Sequence, residues 1–130
     1  MTRKIAREEA FILIFEKAFN DSSVDEILEL ATTVRDVEID EYVETVFKGT
    51  FDNIDEIDTL ISQNAVGWKI NRISKTALSL LRLAIFEIKF LDDIPVSVSI
   101  NEAVELCKKY ATKEDSAFIN GILSTIAKSL

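Results

Sequence analysis

At 130 residues and 48% hydrophobic content the chain is long enough for one domain with a sizeable core, and three Gly and one Pro leave too few breakers for the turns of an all-β fold. One cysteine, Cys107, and no histidine exclude an internal disulfide and remove the commonest metal ligand and general base, which points to the cytoplasm and away from catalysis. The formal charge of −8 disfavours nucleic acid as a partner of the whole molecule, but the charge is segregated: residues 16–58 carry net −11 and residues 69–89 net +4.

The start, Met1-Thr2-Arg3-Lys4, runs into a mixed polar and apolar pattern without the continuous apolar stretch of a signal peptide or a membrane span. Ile5, Ala6, Ala10, Leu13, Ile14 and Phe15 recur at helical spacing and predict a first helix over about Arg3–Phe19. Ser23 with Glu26 three residues on is a capping-box pattern, opening a second helix with the stripe Val24, Ile27, Leu28, Ala31, Val34. Asp40 can cap a third helix burying Tyr42, Val43, Val46 and Phe47. A fourth, starting near Asp52 or Asn53, places Asp55, Glu56 and Asp58 where the helix dipole favours acids.

Asn64–Ile73, with Gly67 and Trp68, reads as an irregular connection too short and too apolar to separate two domains. Ser74–Phe90 is apolar almost all round, as expected of a central buried helix. Within it Arg82 and Glu87 each need a partner or a route to water, because an unpaired buried charge costs about 3–5 kcal/mol. Pro95 leads a sixth helix, and Thr112 with Asp115 caps a seventh carrying Phe118-Ile119-Asn120-Gly121; there Gly121 is expected to let another helix approach closely. The fold class is therefore all-α, with about seven helices.

Arg3 and Arg7, four apart, share one helical face with Lys4 nearby, an arrangement that can clamp phosphates or stack on unpaired bases. Charge alone favours an ordinary solvated helix start with Arg7 beside Glu8 and Glu9. Lys108, Lys109 and Lys113 form a second basic cluster. Phe118 is a core residue or an exposed ring for a base. Cys107 reads as a small core residue, and the carboxylate pairs Asp92-Asp93 and Glu102-Glu105 as caps and solvated faces.

The segments Arg3–Phe15, Trp68–Arg72, Leu81–Ile88, Pro95–Leu106 and Phe118–Leu123 occur in an order and spacing that resembles the NusB family over essentially the whole chain. That resemblance implies two packed helical subdomains within one domain, here about residues 1–66 and 67–130. It also implies a transcription antitermination factor that binds boxA-type single-stranded RNA of ribosomal RNA operons together with NusE, a small-subunit ribosomal protein, in the RNA polymerase antitermination complex. No cofactor is implied. Carried over, Arg3, Lys4 and Arg7 become the leading RNA surface, with Lys113, Glu114, Asp115 and Phe118 as the second RNA-proximal region. Ala77, Leu78 and Arg82 would lie toward NusE, with Ala77 and Leu78 alternatively core residues.

This chain has Ala117 where the family often has Lys, and Ala77 and Leu78 where many members carry an acid followed by a base. The competing reading is a protein-only helical module or self-associating scaffold, including a homodimer, which would show no salt-dependent RNA affinity. A free-standing version of the helical domain found in front of some RNA cytosine methyltransferases is a related alternative.

Overall fold

The computed structural model describes residues 1–130: seven α-helices, a single 3-10 turn over Ile70–Arg72, and no strand. In chain order the helices are α1 (Arg3–Lys17), α2 (Val24–Thr33), α3 (Glu41–Asp52), α4 (Ile54–Asn64), α5 (Lys75–Phe90), α6 (Val96–Tyr110) and α7 (Lys113–Ser129).

Local chemistry sets most of the helix starts. Thr2, Ser23, Asp40, Ser74 and Thr112 each accept a backbone N–H three residues on, which satisfies a donor the helix leaves free. At Ser23 the expected reciprocal box is complete, with Glu26 Oε1 accepting from the Ser23 backbone N–H at 2.9 Å. α1 stops two residues before the expected Phe19, and Phe19 is exposed. Between α2 and α3 the chain reverses through Asp36 at φ 55°, in the left-handed region that acidic and amide side chains tolerate better than most.

α5 is the axis of the molecule. It packs against α1, α3, α4, α6 and α7, and its apolar surround reflects that position. A continuous cluster of 30 buried residues draws on all seven helices, so α1 to α4 close over the same core that α6 and α7 cover from the other side. Ala77 and Leu78, expected to lie toward a partner, sit in that core, Ala77 facing inward at the start of α5 and Leu78 only 4% exposed. Being apolar on a helix ringed by neighbours, they take the core alternative rather than an outward contact.

The close approach expected at Gly121 occurs at Gly49. A Cβ on Gly121 would meet nothing within 4 Å, whereas one on Gly49 would overlap the Phe86 ring, so the missing side chain lets α3 lie against α5. Cys107 is a core residue whose thiol is pushed up by burial. No helix is long and apolar enough to cross a membrane.

Candidate nucleic-acid interface

The basic start of α1 divides into two environments. Arg3 and Lys4 are exposed, while Arg7, one turn later, is 3% exposed and faces the core. The Arg7 Nε donates to Glu87 Oε2 at 2.8 Å, and the same carboxylate, fully buried on α5, accepts from the Tyr42 hydroxyl and, through Oε1, from Ser99 Oγ at 2.8 Å. Four helices, α1, α3, α5 and α6, thus meet on one carboxylate.

Burial disfavours the Arg7 charge, but the hydrogen bond and attraction of Glu87 hold its pKa above the ordinary value. Burial, then the charge and hydrogen bond of Glu87, push the Tyr42 hydroxyl well above its usual range, so Tyr42 stays a neutral donor. Arg7 as a phosphate contact is therefore corrected: its guanidinium is committed to an internal ion pair. Arg3 is exposed and lies 4.5 Å from the Tyr42 ring centroid in a cation–π contact, while the Arg7 guanidinium lies 5.7 Å from the same centroid.

Lys4 reaches Glu102 of α6 at 3.6 Å. Glu8, next along α1, accepts from Lys109 at 2.6 Å and from the Tyr110 hydroxyl, and these two bonds hold its carboxyl below the usual range. The outer face of α1 is thereby fastened beside the end of α6, with Lys4 and Lys109 both acting on Glu8. Beyond them α6 and α7 flank a groove of about 600 Å³ lined by Lys108 and Lys113, with Ser116, Ala117 and Asn120 on its α7 side.

The expected α7 residues fall on two sides of that helix. Lys113 lines the α6 groove; Glu114, Asp115 and Phe118 line a separate concavity of about 220 Å³ with Trp68, Arg72 and Ser74. Trp68 and Phe118 meet edge to face, with centroids 5.7 Å apart. Arg82, grouped with Ala77 and Leu78 as a partner contact, makes a bidentate pair with Asp58 of α4, both bonds 2.9 Å. It pins α4 to α5, so its expected outward contact is corrected to an internal one.

Sequence reasoning did not connect Tyr42 to Arg3 or Trp68 to Phe118, since 39 and 50 positions separate them and neither pair leaves a local pattern. The useful signal at Trp68 was a large aromatic in a connection that also holds Gly67, at φ +82°.

The sequence profile of the NusB family matches residues 4–128. The chain belongs to the NusB family. It is 49% identical to the transcription antitermination protein NusB of Natranaerobius thermophilus, covering 100% of this chain and 97% of that protein. Identity to the protein of the same description from Listeria monocytogenes is 42%, over 98% and 97%. Among solved structures, T. maritima NusB superposes with a TM-score of 0.87 at 35% identity, covering 98% of this chain and 92% of that one. The NusB chain of a complex described as antitermination factors NusB and NusE with dsRNA superposes with a TM-score of 0.88 at 27% identity, covering 98% and 97%. The NusB-family fold is thus present from end to end.

Proposed function

We propose that this chain is a transcription antitermination factor that binds boxA-type RNA together with NusE and joins the RNA polymerase antitermination complex in the cytoplasm. The observation that carries the reading is the full-length likeness to a NusB solved with NusE and RNA. Locally, Arg3 and Lys4 offer the leading phosphate contacts, with Arg3 seated on Tyr42, and Lys113 offers a third cation across the α6–α7 groove. Arg7 contributes by fixing the α1 backbone on which Arg3 and Lys4 stand.

A molecule of net charge −8 repels RNA at long range, so affinity resides in this local surface and rises when a basic partner shares the RNA. A fluorescence-anisotropy titration of labelled boxA RNA, with and without NusE, checks this. Binding should strengthen with NusE and weaken as salt rises. NusE binding without any RNA affinity would leave a protein-only module.

A further inference from the structure

Between α3 and the last turns of α5 runs a groove of about 570 Å³ whose floor is aromatic and whose rim is acidic. Phe86 and Phe90 stack with centroids 5.2 Å apart, and the missing side chain of Gly49 lets α3 lie against the Phe86 ring. Phe86 is buried, whereas Phe90 is 38% exposed and offers ring surface to whatever enters.

The rim is short of counter-ions. Glu41 and Asp52 line the groove, are exposed, and take part in none of the ion pairs of the molecule. The cation of the lining, Lys48, is already held by Glu44 at 3.0 Å and by Asp25 of α2 at 3.6 Å. Lys89 lies 5.9 Å from the Phe90 centroid but is committed to Glu56 of α4 at 2.6 Å. Glu41 and Thr45 also line an adjoining concavity of about 260 Å³, which adds Asp93, another carboxylate outside the ion pairs, and ends at Arg3.

Such a rim repels phosphate, and a second copy of a chain of net charge −8 would bring its own negative charge to it. The complement is a cation that also stacks. A guanidinium lies flat on an aromatic ring and forks onto a carboxylate, whereas an ammonium is a point charge.

We propose that the α3–α5 groove docks an arginine-bearing segment of a basic protein partner, with a guanidinium on Phe90 paired to Asp52 or Glu41 and an apolar neighbour against the aromatic floor. Ala77 and Leu78, toward which the family resemblance directs NusE, stand at the other end of α5, about 20 Å from Phe90 at about 1.5 Å of rise per residue. The groove is therefore a second protein surface, independent of the RNA reading.

The test titrates the full chain into the fluorescein-labelled, amidated peptide Ala-Leu-Arg-Leu-Arg-Ala and follows anisotropy. Lysine in place of both arginines should weaken binding about 3-fold, and glutamine should abolish it. Phe90→Ser and the pair Glu41→Gln with Asp52→Asn should each weaken it about 10-fold. Asp21→Asn with Glu29→Gln removes the same charge from exposed positions outside the groove and should change affinity by less than about 2-fold. Phe90→Ser should bind boxA RNA as the unsubstituted protein does, so loss of the groove leaves the RNA reading standing.

No binding of the arginine peptide, equal losses in the two neutralised pairs, or full affinity in Phe90→Ser overturns the groove. Displacement of the peptide by NusE would merge this surface with that of NusE, and displacement by boxA RNA would assign it to nucleic acid. A dimer in sedimentation velocity that the peptide splits would assign it to a second copy. Each of these three results contradicts the proposal.

Discussion

Arg3 and Arg7 stand one helical turn apart, carry the same charge and have opposite surroundings. Arg3 packs on the Tyr42 ring in reach of solvent, while Arg7 is buried and ends on Glu87, which also accepts from Tyr42 and Ser99. Spacing puts two side chains on one face of a helix; what covers that face is decided elsewhere in the chain. On α5 the sequence requires a partner for Arg82 without naming it, and the structure supplies Asp58 of α4. Basic residues in this molecule divide into an inner set, Arg7 and Arg82, whose ion pairs close the fold, and an outer set that stays exposed to solvent.

The largest effect expected from breaking the inner set comes from Glu87→Ala. It strands the buried Arg7 charge and should lower unfolding free energy by about 3–5 kcal/mol, read from urea denaturation. Loss of less than about 1 kcal/mol would mean that the cluster is wet.

Gly49→Ala comes next. Overlap with Phe86, on the residue beside Glu87, should cost about 1–3 kcal/mol, whereas Gly121→Ala, exposed on α7, should be neutral or stabilising by up to about 1 kcal/mol. Paired thermal melts of the two variants check the contrast.

Tyr42→Phe keeps the ring beneath Arg3 and removes one donor to Glu87, a loss of about 1–2 kcal/mol near neutral pH. Its pH signature is more specific. The folded-state pKa of Tyr42 is raised above the ordinary value of 10.0, so its contribution is fully present below pH 10.0 and is lost as pH rises beyond it, where the unfolded chain ionises first. Melting temperatures from pH 8 to 11 should therefore fall less steeply in Tyr42→Phe than in the unsubstituted protein. Parallel curves would remove Tyr42 from the alkaline loss and leave it to Cys107 and Tyr110, whose pKa values are also raised.

Arg3→Ala is the smallest change to the fold, expected within about 0.5 kcal/mol because the side chain is exposed. Its larger expected effect is on RNA affinity.

Much of the architecture was legible because helices carry their own signals. The caps at Ser23, Asp40 and Thr112 and the all-round apolar pattern of α5 are local, and each is realised. The demand that Arg82 and Glu87 find partners was legible too, since burial makes an unpaired charge costly, but the identity of those partners was not: Asp58 lies 24 positions away and Arg7 lies 80. The site suffered from the same limit. A run of basic residues announces charge without saying which members stay outside, so Arg3 and Lys4 remain on the surface while Arg7 does not. Gly121 misled because a glycine within a helix marks either a close approach or nothing at all, and only the neighbouring helix distinguishes the two.

The proposed RNA surface of this acidic protein is a small outer set of cations. Its most direct test is the salt dependence of boxA RNA affinity in the presence of NusE, compared between the unsubstituted protein and Arg3→Ala. The expected result is weaker binding with a log–log salt slope shallower by about 1, because one phosphate contact is gone while the fold is intact. An unchanged slope and affinity in Arg3→Ala would contradict the account and move the RNA surface away from the start of α1.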